Sequence, residues 1–171
     1  VEFLILRNLL YNEEYVRKVI PFLKADYFEN HNEKVVFEEI LNFVQEYNQP
    51  ATKEVLCIET EKRQDINDSS FKEITDLIGS LEESPSEFNW LVDTTEKWCR
   101  DRAIYLALME SIQLADGKDE TKGRDAIPTI LSDALAVSFD NNIGHDYLTD
   151  YEERYESYHR KEDKIPFDLE Y

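Results

Sequence analysis

The chain has 171 residues, with 38 Asp and Glu against 19 Lys and Arg and a formal charge of −19. That sign excludes a free-standing domain that grips duplex phosphate or anionic membrane through Lys and Arg. A disordered acidic tail is excluded by 42% hydrophobic and 12% aromatic residues, and an all-β fold by only four Gly and five Pro.

Apolar residues recur at helical spacing along most of the chain, which predicts an all-α protein. Phe3, Leu4, Leu6, Leu9 and Leu10 mark a short first helix. Asn12 is placed to cap a second, with Glu13 and Glu14 in its first turn, Val16, Val19 and Ile20 inward, and Pro21 near its end. Asp26-Tyr27-Phe28 connects to a strong third helix over about 31–47, striped by Val35, Val36, Phe37, Ile40, Leu41, Phe43, Val44 and Tyr47. Asn48-Gln49-Pro50 stops it. Thr52 caps a shorter helix through Val55, Leu56 and Ile58, and 65–70 is a polar loop.

Phe71, Ile74, Leu77, Ile78 and Leu81 form the next stripe, closed by Glu82-Glu83-Ser84-Pro85. From Ser86 to Ala115 there is neither Gly nor Pro, and Phe88, Leu91, Trp98, Ala103, Leu106, Met109 and Ile112 support one long helix. Asp116–Arg124 is an exposed tip, and 126–139 returns as a helix with Pro128 in its first turn. Long helix, tip and returning helix make an αα-hairpin. The predicted organisation is a helical bundle over 1–85, a hairpin of the same domain over 86–139, and a linker with a final helix over 140–171.

Motifs for chemistry were tested against their physical requirements. Gly117 and Gly123 enclose five residues, no Lys-Ser/Thr follows, and a helix rather than a strand precedes, so no phosphate-binding loop is present. The tip and the 65–70 loop lack the Gly and Glu positions of a calcium loop. His145 and His159 lie too far apart for one helical zinc face, and His31 is read as opening or capping the third helix. Glu13/Glu14, Glu38/Glu39 and Glu152/Glu153 are adjacent pairs that point to different helix faces, so no acid/base role is assigned. Cys57 and Cys99 fall in apolar stripes and read as structural thiols of a reducing cytosol. No apolar run approaches the roughly 18 residues of a membrane span, and the start VEFLILRNLL lacks a signal-type cleavage site.

The final helix carries Tyr147, Leu148, Tyr151, Tyr155 and Tyr158 on one seam, after the linker Asp140-Asn141-Asn142-Ile143-Gly144. Two readings stand: the seam packs on this domain's own core, or it docks in a groove of another surface.

The segment AIPTILSDALAVSFDNNIGHDYLTDYEERYESY (Ala126–Tyr158), followed by IPFDL (Ile165–Leu169), closely resembles the hexameric replicative helicases of T-even-type bacteriophages, in the DnaB-type family. Leu6, Tyr15, Val19 and Phe22, the set Phe28, His31, Val36, Phe37 and Ile40, and Ser84-Pro85 with Trp90-Leu91-Val92 and Glu96-Lys97 are similar too. The resemblance implies a helical bundle and hairpin that assemble into a collar, and a linker helix that docks on the neighbouring subunit. It assigns the docking role to Tyr147, Leu148, Tyr151, Tyr155 and Tyr158. It implies self-assembly into a hexamer, recruitment of primase and a helicase loader, DNA contact only through the parent hexamer, and the cytoplasm of the infected host. The motor domain, where ATP or GTP and Mg would bind, is absent, so this fragment is expected to be no enzyme and to hold no cofactor. The alternative function is a free-standing acidic adaptor or DNA mimic that binds a basic partner, an idea resting on the −19 charge.

Overall fold

The structure, a computed structural model, describes residues 1–117 and 122–139. Polar caps set most of its helix starts. α1 (Glu2–Tyr11) and α2 (Glu13–Val19) are separated by Asn12 alone. Its extended backbone ends the first helix, and its side-chain oxygen accepts the Tyr15 N–H at 3.0 Å to start the second. A 3₁₀ turn at Ala25–Tyr27 leads to α3 (His31–Tyr47). Asn30 accepts the N–H groups of Asn32 and Glu33, so His31 opens this helix and Asn30 caps it. The helix stops at Asn48, whose φ of 52° is left-handed, a conformation that Asn tolerates better than most residues.

Thr52 caps α4 (Lys53–Glu61) as predicted. The polar loop after it is shorter than predicted, because Asn67 accepts the Ser70 N–H and α5 (Asp68–Ser80) begins within it. An extended strap follows and carries Pro85; its Leu81 carbonyl accepts the Tyr11 hydroxyl at 2.9 Å. Glu87 then caps α6 (Phe88–Ala115), which at 28 residues is the longest element and extends ~42 Å. α7 (Ile127–Leu135) packs back along α6 with Pro128 in its first turn, giving the hairpin. The predicted helix ends at Leu135 rather than Phe139. The chain beyond leaves the helix axis, and Phe139 turns inward to stack on Phe22 with ring centroids 4.6 Å apart. Among the described residues the elements are helical and no strand occurs.

The core lies between α1, α2, α3, α5 and the first half of α6. Ile5, Leu6, Leu9, Tyr15, Phe37, Ile40, Ile74 and Leu91 are fully enclosed there. The Tyr15 hydroxyl meets the Thr95 hydroxyl at 2.6 Å, a buried hydrogen bond joining α2 to α6. Burial, only partly offset by that bond, pushes the phenol well above its ordinary pKa. Val1–Phe139 forms one compact unit. No described helix is long and apolar enough to cross a membrane.

A carboxyl pair makes part of this packing sensitive to pH. Burial pushes the Glu33 carboxyl on α3 up to about 7, reinforced by a hydrogen bond and charge repulsion from Glu2 on α1, while the Val1 ammonium opposes the rise. The folded state therefore holds a proton that the unfolded chain releases nearer pH 4.5. Stability from this group is complete in acid, falls as pH rises between those values, and is lost above about 7. Glu33→Gln is expected to raise stability relative to the parent at pH 8 and to leave it little changed at pH 4.5. Urea denaturation at both pH values reads the difference, and an equal effect at both would show that the shared proton plays no part.

Candidate interaction surface

The long helix α6 has two apolar faces, and the residue sizes on them decide the architecture of the hairpin. Its inward seam after Cys99 is built from small residues, Ala103, Ala107 and Ser111, before ending in Leu114. Small side chains let α7 approach closely, and Ala134 of α7 is buried against them. Ser111 satisfies its hydroxyl within α6, donating to the Ala107 carbonyl at 2.7 Å. Ile112, which the sequence pattern placed in the supporting stripe, is on the other side, and Met109 lies at the edge between the two, exposed but also lining the groove beside α7.

That outer side presents Tyr105, Leu108, Met109 and Ile112, which are 51%, 48%, 42% and 56% exposed. Their spacing of i, i+3, i+4 and i+7 gathers them into one stripe of ~10 Å along the helix. Scattered exposed apolar side chains are ordinary, whereas a contiguous set on one helix face is a candidate interaction surface. The Arg102 guanidinium lies 5.0 Å from the Tyr105 ring centroid at one end of the stripe. Arg102 also donates to the Tyr27 carbonyl at 2.6 Å and pairs with Glu29, fixing α6 to the turn before α3. The stripe is thus carried on a helix held by the bundle over its first half and flanked by the nine-residue α7 beyond it.

Beside the hairpin an open groove of about 660 Å³ is floored by Tyr27, Phe28, Ala103 and Ala134. Its rim holds cations, but each is engaged: Lys34 pairs with Asp26, Lys122 with Glu110 at 2.6 Å, and Lys24 lies 5.8 Å from the Tyr27 ring centroid. Asp26, Glu110 and Asp133 on the same lining balance the three lysines, so the groove carries no net positive charge to hold an anion. Cys99 is buried, and burial first, then the Glu96 charge, pushes its thiol up to about 12, where it is no nucleophile. Cys57 is half-buried and both thiols are free. Among the described residues no group of three or more His, Cys, Asp and Glu is placed to hold a metal ion.

One prediction about side chains is corrected. Glu38 and Glu39 do not diverge: both reach the same nitrogen of Arg63, each at 2.9 Å, while Asp65 takes the other end at 2.7 Å. The Glu side chain is long enough for neighbours on a helix to converge on one guanidinium across the groove to α4. The Asp65 contact above all raises the Arg63 pKa, and Arg63 in turn holds the Asp65 carboxyl down at about 2. No spacing rule signals this hub, since its members lie 24 or more positions apart on one side and two on the other. The predicted docking residues Tyr147, Leu148, Tyr151, Tyr155 and Tyr158 lie outside the described residues.

Comparison with known proteins adds one match. The chain is 33% identical over 174 aligned residues to the DnaB-like replicative helicase of Enterobacteria phage T4. The alignment covers 97% of this chain and 36% of that protein, so the chain spans about a third of its relative's length. No protein-family model matches the chain.

Proposed function

We propose, from the premise that this chain belongs with the DnaB-like replicative helicases over the third of the length it spans, that it is a non-catalytic assembly and recruitment region of such a helicase. The observation that carries this reading is the match along 97% of the chain, in agreement with the resemblance in Ala126–Leu169. In the complete protein the region forms a collar, supports a hexamer, and presents surfaces to primase and a helicase loader. Nucleotide hydrolysis with ATP or GTP and Mg belongs to the motor domain, and DNA is gripped there rather than by an acidic collar. The place of action is the cytoplasm of the infected host. Tyr147, Leu148, Tyr151, Tyr155 and Tyr158 dock the linker helix on the neighbouring subunit.

The outer stripe of α6 supports the self-assembly part of the proposal, as the surface on which copies meet. Burying it between two copies removes apolar area from water at about 25 cal/mol per Å², against the repulsion of two chains of charge −19. Association through this stripe is therefore expected to strengthen as salt screens that repulsion. Leu108→Asp with Ile112→Asp places charge on the stripe without touching the core. In the full-length protein these changes are expected to weaken assembly at least tenfold, read by sedimentation velocity, with circular dichroism unchanged. Hexamers as stable as the parent's would remove the stripe from the interface. An acidic adaptor or DNA mimic, the alternative that the charge suggests, predicts instead tight binding to a basic protein with no dependence on these residues.

A further inference from the structure

A second surface lies where the last half of α3 runs beside α4. A niche of about 400 Å³ opens there, lined by Glu39, Phe43, Glu46 and Tyr47 of α3 and by Glu59 and Lys62 at the end of α4. Phe43 and Tyr47, one helical turn apart, lie with ring centroids at 4.6 Å and an interplanar angle of 35°. Tyr47 is 54% exposed, so one face of the pair is open to solvent.

The charge around these rings is unbalanced in one direction. Glu39 is committed to Arg63 and Glu59 to Lys62, whereas Glu46 makes no ion pair among the described residues; its carboxylate accepts the Tyr47 phenol O–H and feels the Lys62 charge only at longer range. The last turn of α3 holds no basic residue to offset the negative end of its helix dipole. An open aromatic face, a carboxylate with no ion pair and a helix C-terminus all attract a cation. A guanidinium answers all three better than an ammonium, because it is planar, stacks on aromatic rings and donates in a fork to a carboxylate. Nucleic acid is repelled by the same charge.

We infer that this niche is the docking point for an arginine side chain presented by a basic segment of a partner protein. The guanidinium stacks on Tyr47 and pairs with Glu46, and the flanking basic residues of the segment are drawn in by the acidic surface. This inference does not depend on the outer stripe of α6 or on self-assembly, and it is tested separately from them.

The test is a titration of the isotope-labelled 171-residue chain, followed by NMR, with a nine-residue peptide of alternating Arg and Gly and with its Lys counterpart. The expected result is that amide shifts concentrate at 43–47 and 59–62, and that the Lys peptide binds at least threefold more weakly. Tyr47→Ala with Glu46→Gln is expected to lower affinity for the Arg peptide at least fivefold. Asp93→Asn with Asp101→Asn removes more charge at exposed positions of α6, outside the niche, and is expected to change it less than twofold. Equal losses from the two double variants, equal affinity for the Lys peptide, or shifts spread over the acidic surface would each overturn the inference in favour of a diffuse electrostatic field. A change in the sedimentation of the chain alone on Tyr47→Ala would overturn the partner assignment, by showing a second copy in the niche.

Discussion

Replacing Phe139 by Ala is expected to cost the Val1–Phe139 unit about 3–4 kcal/mol, within the range for truncating a buried Phe. The ring is 1% exposed and stacks on Phe22 at 4.6 Å. Truncation removes the transfer energy of the ring, leaves a cavity that a rigid hairpin end fills poorly, and abolishes the aromatic pair. A second tie holds the hairpin end. Arg100 of α6 donates to the Val137 carbonyl at 3.1 Å while also pairing with Glu96 at 2.7 Å, and α7 has already ended at Leu135. Phe22→Ala is expected to cost less, since Phe22 is only half-buried. A double-mutant cycle between the two should return a coupling of about 1 kcal/mol for the stacked pair. Urea denaturation measures all three variants. A loss below 1 kcal/mol for Phe139→Ala would mean that the ring does not hold the hairpin end.

The second large effect is at Arg63. Arg63→Met keeps the aliphatic stem but leaves Glu38 and Glu39 side by side with no cation between them. Removing one partner of an enclosed ion pair costs ~3–5 kcal/mol, and the Glu39 side chain is only 10% exposed. We expect about 3 kcal/mol, toward the low end because Glu38 is 30% exposed and Asp65 can turn to water. Adding Glu39→Gln to Arg63→Met should return more than half of the loss, since the amide removes the enclosed charge. Failure of Glu39→Gln to recover stability would assign the cost of Arg63→Met to lost packing rather than to charge.

How far each feature was legible depends on the range of the interaction behind it. The starts of α2 and α4 were legible at Asn12 and Thr52 because a cap acts over three residues. The third helix was legible at both ends, since its stripe is long and Asn48 can adopt the left-handed turn that ends it. The start of α5 was placed too late because the polar composition of 65–70 masked the capping role of Asn67. The end of α7 was placed too far along because Val137 and Phe139 continue an apolar pattern. Phe139 is apolar for another reason: it has a partner in Phe22, more than a hundred positions earlier.

The interaction surface shows the same division. The spacing of Met109 and Ile112 announces a helix, but a helix with two apolar faces does not say which one is inside. Packing decides this, because α7 can lie close only against the narrow Ala103, Ala107 and Ser111 seam, and the larger side chains are left outward. The resemblance was legible from contiguous segments, above all Ala126–Tyr158, and the 33% identity to the phage T4 helicase over 97% of the chain agrees with it.

The helical class, the order of the elements, most of the helix starts and the resemblance to replicative helicases could be read from the sequence. These depend on composition, on periodicity and on contacts between near neighbours. Only the tertiary structure decided which face of α6 is exposed, that Arg63 gathers Glu38, Glu39 and Asp65, and that Tyr47 is left open beside Glu46. Each of these depends on what another helix covers, a property of the packed assembly that no single stretch of chain encodes.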